Sequence, residues 1–232
     1  MRLATPRDSA AARLRAIPMF SELPEEDVEA FAELVQLRRY PRNSFIVNQH
    51  DRGGCMYLLV SGRVKVTLAS PDGKELALNY LEAPSHFGEM SLVDAEPRSA
   101  DVIATTDVEC LALEGKDLAA AIRIQPKLAV SLIATLSNRL RHTIGRLEDM
   151  AFHDATHRVM RVVLNVATAR YESHGVPVIQ GLTHYDIATL AGTSRETASR
   201  IISTLAREGI VASKGRRIVV DLFGLRERLE ID

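Results

Sequence analysis

The segment from Phe87 to Ala100 reads FGEMSLVDAEPRSA and gathers residue types that can grip an anion. Gly88 lets backbone N–H groups come close to a ligand, and a short helical turn beyond it presents unpaired donors. Arg98, nine residues after Glu89, supplies a forked cation, and Ser99 adds a hydroxyl. Glu89 would repel an anion unless it faced hydroxyl donors, and a ribose 2′-OH is such a donor. Phosphate and ribose in one compact pocket describe a nucleotide. The candidate ligand set is therefore Gly88, Glu89, Met90, Ser91, Arg98 and Ser99. The plainer alternative is a barrel loop closed by a Glu89–Arg98 salt bridge with no ligand.

A second constellation lies at residues 183–207, THYDIATLAGTSRETASRIISTLAR. Thr183 caps a first helix with Ile187, Ala188 and Ala191 facing inward. Gly192 makes a sharp turn, and a second helix starts at Ser194 with Ala198, Ile201 and Leu205 inward. This is the helix-turn-helix pattern. Ser194, Arg195, Glu196, Ser199 and Arg200 face outward. Arg can bond a guanine edge in two places and Glu can accept from a cytosine amine. With Thr183, Thr193 and Lys214 they form the candidate DNA-contacting set. The plainer alternative makes Glu196 and Arg200 an i,i+4 pair of about 0.2–0.5 kcal/mol.

These residues need a frame. From about 44 to 114 short apolar runs alternate with turns: SFIVNQ, CMYLLV, RVKVTLA, ELALNY, ADVIAT and VECLAL. Such spacing predicts a sandwich or jelly-roll barrel. Pro71-Asp72-Gly73 predicts a hairpin turn. Residues 25–37 predict a short helix with Val28, Phe31, Leu34 and Val35 on one face. After Pro126 the texture is helical for about 25 residues. Ala129, Ile133, Leu136, Leu140, Thr143, Leu147 and Met150 make a heptad seam, read here as a dimer axis. The alternative is a helix packed wholly on its own domain, with Thr143 merely setting register. Phe152-His153-Asp154 marks a junction, and a helix over 155–171 uses Val159, Val162, Val163 and Val166 as its inner face. A basic hairpin, Lys214-Gly215-Arg216-Arg217 at its tip, ends the chain.

Composition narrows the function classes. The 232 residues carry a net charge of −1, divided as −3 over residues 1–150 and +2 over 151–232. From Thr193 to Arg217 six basic residues face two acids, a local patch suited to a polyanion. Two cysteines, Cys55 and Cys110, are too few for a disulfide framework, a Cys-rich zinc site or a four-Cys cluster, and suit a reducing cytoplasm. They read as small core residues. No apolar run reaches membrane-span length and the first 18 residues are no secretory signal. H-E-x-x-H, G-x-S-x-G, Walker and G-x-G-x-x-G patterns are missing, so no enzyme is expected, and no metal ligands are assigned.

Gly192 followed by Ser194-Arg195-Glu196-Thr197 and Arg200 resembles the recognition helix of the cAMP receptor/FNR (Crp/Fnr) family of transcription regulators. The catabolite activator branch is the most similar. F-G-E followed by R-S-A resembles the family's phosphate-binding cassette, and the likeness runs from Ile17-Pro18-Met19-Phe20 to the final hairpin. The resemblance implies an α+β chain. Residues 1–125 would be a cyclic-nucleotide-binding jelly-roll, 126–152 a long dimerisation helix and hinge, and 153–232 a winged helix-turn-helix.

It further implies a cytoplasmic homodimer that binds cAMP and palindromic double-stranded DNA of TGTGA type, with Arg195, Glu196 and Arg200 as readers. Ser199 stands where that branch has Gly. Thr143 would bond the adenine, while Ile144 replaces the Ser that the branch places next. cAMP is thus expected ahead of cGMP or a dinucleotide. RNA polymerase is an implied partner through the loop that residues 171–180 occupy. The alternative on the same scaffold is a ligand-independent or redox/gas-responsive regulator. It lacks the family's N-terminal cysteine cluster, and His50 and His86 are its candidate haem ligands.

Overall fold

The computed structural model describes residues 6–174, 177–214 and 217–230. Contacts divide the chain into two units, Met1–Ser70 with Leu78–Leu140, and Pro71–Ala77 with Arg141–Asp232.

The first unit opens with α1 (Pro6–Arg15), a single 3-10 turn (Pro18–Phe20) and α2 (Glu25–Ala32). Eight strands follow: β1 (Val35–Tyr40), β2 (Phe45–Val47), β3 (Cys55–Ser61), β4 (Arg63–Ala69), β5 (Glu75–Glu82), β6 (Ser85–Phe87), β7 (Asp101–Ala104) and β8 (Val108–Glu114). They form two four-stranded sheets, ordered β1-β8-β3-β6 and β2-β7-β4-β5. A short helix, α3 (Met90–Val93), sits between β6 and β7, and α4 (Gly115–Ile124) leads to α5 (Lys127–Phe152).

β3 and β8 are buried on both faces, which explains why CMYLLV and VECLAL are continuous apolar runs without alternation. Tyr57, Leu59, Cys110 and Ala112 face the core between the sheets, with Val64, Phe87 and Val102. Met56, Leu58, Leu111 and Leu113 face the other way, onto Leu14, Phe20, Phe31, Leu118, Leu128 and Leu132 of the helical layer. The hairpin turn lies between β4 and β5 as expected, with Gly73 at φ +79°.

The expected helix over 25–37 stops at Ala32. Val35 begins an edge strand, Val35 opposite Leu113 and Tyr40 opposite Val108. Its VQLRRY sequence is largely exposed, with Arg39 bonded to Glu109 at 2.7 Å. Charged edge strands of this kind resist pairing with other chains, and they lack the period-2 signal of a half-buried strand.

The second unit holds the distal part of α5, then α6 (Ala155–His174), β9 (Val178–Gln180), α7 (His184–Ala191), α8 (Arg195–Arg207), β10 (Val211–Lys214), β11 (Arg217–Val220) and α9 (Leu222–Arg228). The sheet order is β10-β11-β9, all antiparallel. One core joins Val159, Val163 and Leu164 of α6 to Ile187, Ala191, Ile201, Leu205, Ile218 and Leu225, with Val162 and Val166 partly buried beside it. The architecture is α+β, a two-sheet domain and a winged helix-turn-helix with a long helix between them in sequence. No single helix among the described residues is long and apolar enough to cross a membrane.

Candidate effector pocket and nucleic-acid interface

In the first unit β6 delivers the chain to Gly88, whose φ of +81° suits a residue without Cβ. A Cβ there would lie 2.7 Å from Arg98 Nη1. Gly53 is under the same constraint, since its Cβ would collide with Ser91 Oγ and the Arg98 guanidinium. That second glycine reads from sequence only as a turn.

Arg98 is buried, and three oxygens hold its guanidinium. Nη1 donates to Gly88 O at 2.6 Å and to Ser91 Oγ at 2.8 Å, while Nη2 donates to Cys55 O at 2.6 Å. Among the described residues no carboxylate pairs with it. A buried cation facing only neutral dipoles retains unmet charge, which an anion could balance.

Glu89 pairs elsewhere. Its Oε1 accepts from Arg139 Nη1 at 2.5 Å, and Arg139 Nη2 donates to His86 O. The expected alternative of a Glu89–Arg98 bridge therefore does not form. Glu89 is 1% exposed, and its Oε2 is buried without a hydrogen-bond partner. A lone buried carboxylate oxygen is costly unless a donor reaches it, and a ligand hydroxyl is one such donor.

His86 is buried beside this pair, and burial drives its pKa down to about 4, so the ring is neutral near neutral pH. Met90 and Ser99 are exposed at the rim, with Ser99 Oγ 3.9 Å from Met90 Sδ. Thr143 lies one turn beyond Arg139 on α5, exposed, on the part of the helix that belongs to the second unit.

Cys110 is fully buried, and burial pushes its thiol up to about 12. Cys55 stands opposite Glu114 and Cys110 opposite Leu59, four positions further along the β3–β8 ladder. At ~3.3 Å per residue that separation, about 13 Å, is far beyond disulfide reach. His50, in contrast to His86, is exposed at φ +71°.

In the second unit local chemistry fixes the helix-turn-helix. Thr183 and Asp186 form a reciprocal capping box at the start of α7, with Thr183 N donating to Asp186 Oδ2 at 2.7 Å. Gly192 ends the helix in the left-handed region at φ +60°, and Thr193 N donates to Ala188 O at 3.0 Å. Ser194 Oγ then accepts from Thr197 N at 3.1 Å, capping α8.

α8 buries Ala198, Ile201, Ile202 and Leu205 and leaves Arg195, Glu196 and Arg200 exposed. Glu196 and Arg200 make no ion pair, so the i,i+4 alternative is not realised. Thr193 and Ser199 are half-buried, and Ser199 Oγ is 3.1 Å from His184 Nδ1, which ties α8 to α7. The Lys214 side chain and residues 215–216 at the wing tip lie outside the described residues.

Two arginines that sequence reasoning missed hold the end of α7. Arg158 Nε donates to Ala191 O at 2.8 Å and Arg146 Nη2 to Leu190 O at 2.6 Å. Both sit where the last carbonyls of a helix lack intrahelical partners and where the dipole favours cations.

A buried guanidinium and a buried carboxylate on the two-sheet unit, with a capped and exposed helix of a winged helix-turn-helix on the other, define the class as a DNA-binding protein with an appended domain of small-ligand type. Residues 37–125 match the cyclic nucleotide-binding domain, and residues 157–228 match the Crp-like helix-turn-helix domain. The chain is 37% identical over 198 residues to the cyclic AMP receptor protein of Thermus thermophilus, covering 85% of this chain and 89% of that one. It is 30% identical over 203 residues to the cAMP-activated global transcriptional regulator CRP of Escherichia coli, covering 86% and 95%. Its fold resembles that of the c-di-GMP responsive regulator CLP of Xanthomonas campestris, with TM-score 0.73 and 24% identity over 85% and 99% of the two chains. The chain belongs to the Crp/Fnr family. It is a DNA-binding transcription regulator with a cyclic-nucleotide-binding domain, not an enzyme.

Proposed function

We propose that the protein is a cytoplasmic homodimer that binds cAMP and in response reads a TGTGA-type palindrome in double-stranded DNA, with RNA polymerase as a further partner. The observation that carries this reading is the Arg98 guanidinium, buried and held by carbonyls but, among the described residues, without a carboxylate partner. A cyclic phosphodiester would supply its counter-charge, with Ser91 and Ser99 nearby and the backbone of Gly88 and Met90 close at hand. Glu89, fixed by Arg139, would accept the ribose hydroxyl on its open oxygen. Thr143 would bond the base, and Ile144 would meet it with an alkyl face.

Homodimerisation is supported by α5. Leu128 and Leu132 of α5 are buried in the first unit's core, while Ile133, Leu140 and Leu147 of the heptad seam are exposed. In a single chain that seam is uncovered, which fits a coiled contact with a second copy.

Arg195, Glu196 and Arg200 would read base edges, with Thr183, Thr193, Ser194, Ser199 and Lys214 positioning the backbone. In a dimer the two α8 helices would need to lie about 34–36 Å apart to enter successive major grooves.

A mobility-shift titration on a TGTGA-N6-TCACA duplex, without ligand and with cAMP, cGMP or c-di-GMP, tests this reading. Tightening by cAMP alone supports it; tightening by c-di-GMP alone reassigns the effector. Two substitutions divide the DNA contacts. Arg195→Ala is expected to cost about 1–3 kcal/mol on the palindrome and to relax preference at one base pair. Equal losses on palindrome and random DNA would remove its role as a reader. Lys214→Ala is expected to weaken all duplexes alike and to reduce the slope of log affinity against log salt by about one unit.

A further inference from the structure

At the α5–α6 junction three side chains converge that neither the effector pocket nor the reading helix uses. Asp149 lies in the last turn of α5, His153 follows its end, and His157 lies in the first turn of α6. One ligand atom from each can be chosen so that all three lie within 4.8 Å of one another. Their spacing, Asp-x3-His-x3-His, is the sequence signal for this grouping.

The backbone fixes the arrangement. His153 N donates to Asp149 O at 3.1 Å, and Asp154 caps α6 by accepting from His157 N at 2.8 Å. Arg158 Nη1 holds the His153 carbonyl at 2.8 Å.

Two of the three side chains hold a buried polar atom with unmet hydrogen-bonding capacity. Asp149 Oδ1 and His157 Nε2 are buried without a hydrogen-bond partner. Arg161 Nε is 3.5 Å from Asp149 Oδ1, too long for a good hydrogen bond. The His153 and His157 rings stack in parallel at 3.7 Å. A carboxylate and two imidazoles that converge here, two of them with a buried polar atom lacking a hydrogen-bond partner, make a site suited to a cation.

We propose that Asp149, His153 and His157 bind a divalent first-row transition metal. Imidazole nitrogen with one carboxylate oxygen suits zinc and its neighbours rather than magnesium or calcium. Three protein ligands leave a fourth tetrahedral position for water. Ligand atoms around zinc stand about 3.4 Å apart at ~2.0–2.2 Å bond lengths, so the site closes by roughly an ångström. His153 is exposed and can turn out of the stack to close it. The ion would pin the last turn of α5 to the first turn of α6, and Arg161 would yield its place beside Asp149.

The test uses the full-length protein, stripped with EDTA and titrated with zinc chloride by calorimetry. The expected result is one zinc per chain, bound more than tenfold more weakly by His157→Ala and by Asp149→Asn and unaltered in His142→Ala. Because His157 is partly buried, the exposed His153→Asn provides a second variant. Zinc should raise the melting temperature of the wild type and leave that of His153→Asn unchanged. Cobalt(II) should give the intense visible absorption of a tetrahedral site in the wild type only. No zinc uptake in excess zinc, or equal uptake by wild type and the His153/His157 variants, would overturn the proposal. cAMP and DNA binding need not change in either case, so this result is independent of the proposed function.

Discussion

Replacing Arg98 by glutamine is expected to weaken cyclic-nucleotide binding by about thirty-fold to several thousand-fold, equivalent to roughly 2–5 kcal/mol. The guanidinium is the only buried cation that touches the backbone oxygens of Gly88 and Cys55 and the hydroxyl of Ser91 among the described residues. Glutamine keeps one amide donor for those acceptors but brings no charge to a phosphodiester. Folding should survive, because the substitution removes an uncompensated buried charge as well as the bonds it makes. Calorimetry with cAMP against a circular-dichroism melt of the same sample separates the two effects. Unchanged affinity in a folded variant would dissolve the pocket assignment.

The second large effect is on stability and comes from His86. Its ring is buried, with Nε2 unpartnered, and its folded pKa lies near 4 against 6.5 for the free side chain. Above 6.5 both folded and unfolded states hold the neutral ring, and the residue imposes no penalty. As pH falls from 6.5 towards 4 the unfolded chain takes up a proton that the folded chain refuses, so stability drops across that window. The full loss is about 3 kcal/mol. Other groups titrate there too, so the measurement is a difference. Urea midpoints of wild type and His86→Asn should draw together as pH is lowered from neutral towards 4. Parallel midpoints would show that the ring is not held neutral by the fold.

The two functional constellations differed in how much of them could be read from the residues. The helix-turn-helix was legible almost residue by residue, because its determinants are local. Thr183 with Asp186, Gly192 in the left-handed region and Ser194 with Thr197 all act within a few positions of one another. The segment from Gly88 to Ser99 stood out by composition, but its internal wiring did not. Glu89 pairs with Arg139, fifty residues away, and Arg98 with the Cys55 carbonyl, forty-three away. No periodicity announces such pairs. The apolar seam of α5 drew attention to Thr143, yet Arg139, four residues earlier, carried the contact with Glu89.

Among the strands, the first half of β1 falls within the helix read over 25–37 and the rest of it carries no strand signal, because VQLRRY is an exposed, charged edge; β6 is only three residues long. The helix Pro6–Arg15 also went unread, since arginines interrupt its apolar side.

The grip of Arg146 and Arg158 on the end of α7 bears on how the protein should respond to ionic strength. Counter-ion release depends on the cations that reach phosphates, not on the formula of a domain. Arg158 counts towards the net +2 of residues 151–232, yet its guanidinium donates from all three nitrogens to the carbonyls of His153, Ala191 and Gly192, which holds it at the end of α7. A salt exponent inferred by tallying lysines and arginines would overshoot. Direct phosphate contacts, and with them the salt exponent, should follow Arg195, Arg200 and the wing, while Arg146 and Arg158 stay engaged at the end of α7.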